Sequence, residues 1–268
     1  MAEMLTYSTV QIKCNYAGNL EGSGTGFIIN ICENKEKGTC VPILVTNRHV
    51  IENSTKISFK LCLADDDGNP IDTQTHEVDA PMILWRKHPV ANVDLCCLPL
   101  VPILNHVTEQ GVKVFYIPLS AGLIPGEDAL RNLVALEDVV MIGYPIGVSD
   151  TYNNKPVIRR GITAIHPKND YNGRKETLLD IAAFPGSSGS PVFIFNQGAY
   201  PTLDGIEMKS SPRIMLLGVL WGGEEYNAAG VLQFSLLPNI PTPMTKIPAN
   251  LGIIIKSERI KEFETLFP

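Results

Sequence analysis

Gly, Pro, Asn and Asp interrupt this chain so often that few segments keep a helical period long enough to fold as a substantial helix. Between the interruptions lie short runs of Val, Ile, Leu and Phe: "GTGFIIN" (24–30), "VPILVTN" (41–47), "TKISFKLCLA" (55–64), "VDLCCLPL" (93–100), "EDVVMIGYP" (137–145), "ETLLDIAAF" (176–184), "PVFIF" (191–195), "RIMLLGVLWGG" (213–223) and "LGIIIKS" (251–257). Runs of this length and content, bounded by turn formers such as "ADDDGNP" and "KNDYNGRKE", predict strands, and many of them in series predict an all-β barrel or sandwich. Two segments depart from the pattern. Residues 127–138 read as a short helix or connector. Residues 257–267 read as a C-terminal α-helix, capped by Ser257 with Ile260, Phe263 and Phe267 at helical spacing. "FNQGAYPTLDGIEMKSSP" and "LLPNIPTPMTKIPAN" read as surface loops, and a division near residue 120 splits the strands into two similar groups.

Composition removes several classes of function. Of the 268 residues, 44% are hydrophobic and 19% charged, as in an ordinary globular protein. The net charge is −6, and basic residues never run longer than pairs such as Arg159-Arg160, which argues against a nucleic-acid partner. No apolar stretch approaches a membrane span. The N-terminal residues lack the basic start and apolar run of a secretion signal, so a cytoplasmic location is expected. The six cysteines are then expected as free thiols. Cys96 and Cys97 in particular, as strand neighbours, should point to opposite faces. With no CxxC or HxxxH spacing, neither a metal nor a cofactor is expected.

What chemistry remains is carried by Ser, His and Asp. A serine hydroxyl needs a base to take its proton, an oriented base needs a partner, and a developing oxyanion needs donors. Among the five histidines, His88 and His166 precede prolines, His76 lies in a polar stretch and His106 in a loop, whereas His49 sits where a strand ends, in "ILVTNRHVIEN". Asp94 stands alone at the start of the apolar run "NVDLCCLPL", a costly place for a carboxylate unless it is paired. Asp65, Asp66 and Asp67 form a solvated turn, and Asp180 is a second candidate for a buried carboxylate. Finally, "FPGSSGSPVF" places Gly and Ser at all of positions 186–190 before Pro191. Gly186 supplies the positive φ that a tight turn of backbone N–H groups requires.

These segments together resemble the trypsin-like serine proteases, in the form of the bacterial intracellular and heat-shock-protease-like members. "PGSSGSPVF" resembles the family's Gly-x-Ser-Gly-Gly-Pro signature, "TNRHV" its histidine box and "HPVANVDLCCLPL" its aspartate box, in the family's order and at its spacing. "GSGTGFII", "MIGYPIG", "GVLWGG" and "GIIIKSERIKEF" extend the similarity to roughly residues 20–265. The resemblance implies a chymotrypsin-like fold, with two six-stranded antiparallel Greek-key β-barrels and a C-terminal α-helix. Residues 1–120 would form the barrel with His49 and Asp94, 121–256 the barrel with Ser188, and 257–268 the helix. It further implies Ser188 as nucleophile, His49 as base and acid, Asp94 as its orienting partner, and the N–H groups of Gly186 and Ser188 as the oxyanion hole. Ser187 and Ser190 would be scaffold.

By the same resemblance, Ala182 lies at the base of the primary pocket, where preference for Lys or Arg would require Asp. Leu220, Trp221 and Gly222 lie on the strand that pairs with an extended substrate. One departure matters: Ser187 stands where secreted relatives carry the Asp that binds a newly cut N-terminus, so activation by zymogen cleavage is not expected. The implied partners are a protein or peptide substrate and an activating partner or fused sensor domain, with no nucleic acid and no membrane. The alternative is a protease-fold binding or scaffold module that is inactive or locked until a partner opens it.

Overall fold

Period-two alternation organises the molecule, because the central strands, such as β2 (Leu20–Asn34), feed two cores at once. In the computed structural model, which describes residues 2–229 and 244–267, the first sheet contains β1 (Thr9–Tyr16), β2 (Leu20–Asn34), β3 (Thr39–Thr46), β4 (Lys56–Ala64), β5 (Pro70–Asp79), β6 (Arg86–Lys87), β7 (Cys96–Pro99), β8 (Val114–Phe115) and β9 (Leu119–Ser120). Its order is β5-β4-β1-β2-β3-β7-β6, with β8 against β4 and β9 against β2. The second half is a closed six-stranded barrel of β10 (Asp138–Gly143), β11 (Val157–Thr163), β12 (Glu176–Asp180), β13 (Pro191–Asn196), β16 (Arg213–Ala229) and β17 (Met244–Lys256). A separate hairpin pairs β14 (Ala199–Thr202) with β15 (Gly205–Met208).

On β2, Phe27, Ile29 and Ile31 face a core shared with Ile142, Phe193, Leu216 and Val219 of the second barrel, while Ile28 faces the interior of the first sheet beside Ile12, Leu44 and Phe59. A third core, including Val139, Met141, Val192, Ile194 and Ile254, fills the closed barrel. Phe27 and Phe193 are completely buried, and truncating either to Ala would cost about 3–5 kcal/mol. The shared core is therefore a continuous apolar joint beneath any site built from both halves. Cys96 and Cys97 do point into opposite cores, and all six cysteines are free.

The all-β, two-part chymotrypsin-like fold is as expected, and the first sheet is drawn from nine strands, several of them only two residues long. Several other expectations need correction. The β1, β5 and β11 strands escape a search for apolar runs because one face of each is polar or exposed. His106 lies on helix Val101–Glu109, whose Pro102 falls in the first turn, where a missing N–H costs nothing. The segment 199–208 forms the β14–β15 hairpin and not a loop. Residues 244–250 continue β17, while 236–243 of the other expected loop lie outside the described residues. The C-terminal helix is one α-turn, Glu258–Lys261, followed by a 3-10 turn, Glu262–Leu266. Asp180 is exposed: it ends β12 one position past the buried Leu179, so alternation turns it outward.

Candidate active site

Antiparallel register brings His49 to Asp94. Thr46, the last residue of β3, pairs with Cys96, the first of β7, so the residues just beyond each strand end are neighbours. There the chain turns from β3 into the single-turn helix Arg48–Ile51. Asp94 is wrapped by that turn. Its backbone carbonyl accepts from Asn47 Nδ2 at 2.9 Å and from the Arg48 N–H at 3.4 Å, and its Oδ1 accepts from the His49 N–H at 3.1 Å. Its Oδ2 lies 2.5 Å from His49 Nδ1. An ionised carboxylate can only accept, so this contact calls for the proton on Nδ1, the tautomer in which a neutral imidazole presents its lone pair at Nε2. The Asp94 side chain is 20% exposed and that of His49 is 45% exposed, so the pair is anchored at one end and open at the other.

The serine turn, 184–190, joins β12 to β13 and is built from backbone. Ser187 donates to the Phe184 carbonyl at 2.9 Å, Gly189 to Leu220 at 2.7 Å and Ser190 to Ser187 at 3.0 Å. Gly186 and Ser188 donate to nothing among the described residues. The Pro185 carbonyl accepts from the Ile146 N–H at 2.6 Å, and in a trans peptide this turns the Gly186 N–H the opposite way. Gly186 and Gly189 have φ of 86° and 88°, a region closed to most side chains. Ile146 itself holds φ 52°, a costly conformation for a β-branched residue. Ser187 and Ser190 are completely buried, and Ser188 is the half-buried member of the three.

The structure thus joins His49 to Asp94, while no hydrogen bond links His49 to Ser188 among the described residues. Leu220 lies in the interior of the second barrel: its backbone ties down the serine turn, and its side chain is core. Trp221 lines a cavity of about 430 Å³ beside Asp94, Arg174 and Arg259, on the carboxylate's side of the site. A side chain at Gly222 would meet open space, and Ala182 is half-buried. A second cleft, about 810 Å³, borders Gly186 and Ile146 and runs past Ser23, Lys13, Lys56 and Glu77. Nothing in the sequence pointed to Asn47 or Ile146, whose roles come from main-chain geometry. The described residues include no cluster of His, Cys, Asp or Glu suited to a metal ion, and no helix long and apolar enough to cross a membrane.

A two-sheet β fold with an oriented His–Asp pair and a glycine-flanked serine turn defines a protein of the trypsin-like serine endopeptidase class. The family model for the trypsin-like peptidase domain matches residues 24–199, and the chain belongs to that family. Among solved structures, the Rv3671c protease from M. tuberculosis in its active form superposes with a TM-score of 0.51 at 14% identity, covering 99% of this chain and 83% of that one. A serine endoprotease from Yersinia pestis gives a TM-score of 0.48 at 16% identity, covering 99% of this chain and 64% of that one. Comparison with curated proteins finds no match.

Proposed function

We propose that the protein hydrolyses peptide bonds through Ser188, His49 and Asp94 and an acyl-enzyme intermediate. The observation that carries this reading is the pattern of the serine turn: among the described residues, every N–H from 186 to 190 finds a backbone carbonyl except those of Gly186 and Ser188. Two unpaired donors flanking one serine suit the negative charge of a tetrahedral intermediate, a provision worth about 2.7–4 kcal/mol per donor in barrier height.

In the first step Ser188 Oγ bonds to the substrate carbonyl carbon, its proton passes to His49 Nε2, and the carbonyl electron pair moves onto oxygen. The intermediate then collapses, the C–N bond breaks, and His49 returns the proton to the leaving amine. Water repeats the sequence on the ester, releasing the acid and restoring Ser188. Asp94 holds the imidazole in the required tautomer and offsets its charge when protonated.

The site does not rely on zymogen cleavage. Ser187 is completely buried where a carboxylate would need an ammonium partner, and it is neutral. Ala182 and Gly222 favour an uncharged side chain before the scissile bond, with the substrate added as a strand beside 220–222. The division at residue 120, into a His49–Asp94 half and a Ser188 half, belongs to the same reading.

The test is covalent labelling by a fluorophosphonate, read by mass on the wild type, Ser188→Ala and His49→Ala. Labelling of the wild type alone is expected. An unlabelled wild type would favour the binding-module alternative.

A further inference from the structure

We propose that Thr25, a buried residue of β2, is the positioning residue that keeps the Gly186 and Ser188 N–H groups turned out and free; this rests on the reading of Ser188 as nucleophile. Thr25 belongs to the first sheet, yet three of its four hydrogen bonds reach the second half. Its N–H donates to the Ser188 carbonyl at 2.8 Å. Its hydroxyl donates to the Gly186 carbonyl at 3.0 Å and accepts from the Tyr144 N–H at 3.0 Å. Its own carbonyl accepts from Thr46 Oγ1 at 2.7 Å, three residues before His49. Thr25 has no exposed surface.

The turn can be accounted for peptide by peptide. The 185–186 unit is held at its carbonyl by Ile146, and the 187–188 unit at its carbonyl by Ser190. These are the units whose N–H groups stay free. The 186–187 unit is held by the Thr25 hydroxyl and by Phe184, and the 188–189 unit by the Thr25 N–H and by Leu220. Thr25 therefore fixes the two peptide units interleaved with the two that carry the donors. A glycine at φ 86° has neighbouring wells open to it, so the 186–187 unit keeps its orientation only while something grips it.

The grip requires a hydroxyl. One oxygen both accepts from Tyr144 and donates to Gly186, and a methyl in its place would leave a buried N–H and a half-buried C=O without these partners. Because Thr25 belongs to the other sheet, the shape of the turn is tied to the joint between the halves. In this chain that joint does the work that an ion pair to a new N-terminus does where an Asp replaces Ser187.

The experiment compares Thr25→Val, Thr25→Ser and Thr25→Ala with the wild type, using the rate constant (kinact) and the binding constant (KI) for a fluorophosphonate, the pH profile of labelling, and thermal unfolding. For Thr25→Val, kinact should fall about 10- to 100-fold, less than the loss of a direct oxyanion donor. KI and the midpoint of the pH profile should not move, because the His49–Asp94 pair is untouched. Thr25→Ser keeps the hydroxyl and should stay within about threefold of the wild type. Thr25→Ala removes the hydroxyl without introducing a new contact and repeats the test if the valine variant does not fold. Wild-type kinact in a folded Thr25→Val or Thr25→Ala would overturn the proposal. So would equal losses in the serine and valine variants, or failure of both the valine and alanine variants to fold, which would make Thr25 a residue of stability alone. Failure of the underlying reading would appear elsewhere, as a wild type that takes no label.

Discussion

The two halves of the site are built by opposite means. On the first sheet, side chains grip backbone and one another: Asn47 Nδ2 on the Asp94 carbonyl, Asp94 Oδ1 on the His49 N–H, and Asp94 Oδ2 on His49 Nδ1. On the second, the serine turn is main chain holding main chain, with two glycines at positive φ and, among the described residues, one side-chain hydroxyl, that of Thr25, reaching in. The difference follows from what each half must do. The imidazole has to be aimed and kept in one tautomer, which a carboxylate does well. An oxyanion needs donors that are already in place, and backbone N–H groups in a fixed turn meet that need with no side-chain entropy to lose. The first half should therefore be sensitive to changes of chemistry, and the second to changes of shape.

The largest effect tests the point where both halves meet. Ser188→Ala removes the nucleophile and should lower turnover by on the order of 10⁴-fold or more, with no covalent label by mass and an unchanged unfolding temperature. Asp94→Asn comes next. It keeps shape and volume but gives His49 Nδ1 an amide in place of a carboxylate, so the wrong nitrogen can carry the proton. A loss of about 10³- to 10⁴-fold in kcat is expected, with the fold intact by circular dichroism. A near-normal kcat in that variant would mean that chemistry does not govern the first half, and the comparison would fail there.

Shape is tested at the glycines. A Cβ on Gly186 would stand 2.6 Å from the Tyr144 carbonyl oxygen and 3.1 Å from the Ile146 nitrogen, while the left-handed backbone alone costs about 1–2 kcal/mol. Gly186→Ala should fold, unfold at a temperature lower by several degrees, and lose about 10²-fold in kcat as the 185–186 peptide shifts. Gly189→Ala is the harsher change, since its Cβ would lie 1.8 Å from the Thr25 carbonyl oxygen and 2.5 Å from Thr46 Oγ1. It should separate the turn from the first sheet and give little folded protein, measured as the yield of soluble, cooperatively unfolding material.

How far the sequence was legible follows the same division. His49, Asp94 and the 186–190 turn stand out because their chemistry is written in residue types; a lone acid entering an apolar strand calls for a partner, and the resemblance to trypsin-like proteases is what implies His49 as that partner. Thr25, inside "GSGTGFII", carries no such mark, because its partners in the second half are main-chain groups more than a hundred residues away. Alternation on β16 sends the Leu220 side chain into the barrel core, so that residue's part in substrate pairing rests on its backbone alone. The long apolar strands were plain, whereas β5, "PIDTQTHEVD", shows no apolar face because most of it is exposed or half-buried. Its pairing is decided by β4, on the far side of a turn.

The smallest effect concerns the joint between the halves away from the shared core. Asp72 on β5 accepts from Tyr7 Oη at 2.9 Å and from Lys155 Nζ at 2.8 Å, and the Lys155 ammonium also sits over the Tyr7 ring. Lys155 belongs to the segment that leads from the Ile146 turn into β11, so this cluster ties the first sheet to the loop that steadies Pro185. Burial alone would raise the Asp72 pKa, but the hydrogen bonds from Lys155 and Tyr7 outweigh it and hold the carboxyl below its ordinary value. A carboxyl depressed in the folded state stabilises the protein above its unfolded pKa, about 3.9, and that contribution disappears as pH falls through the lower folded value. The carboxylate is 36% exposed and its lysine 20%, so the effect is modest. Asp72→Asn should unfold a few degrees below the wild type at pH 7. The gap should hold down to about pH 5, begin to narrow below about 4 as the unfolded chain takes up the proton, and close only below the lower folded value, where both proteins carry a neutral group at position 72. A gap that persists unchanged at low pH would show that the side chain contributes through packing, and the two halves would then be joined by their apolar core and the Thr25 bonds without help from charge.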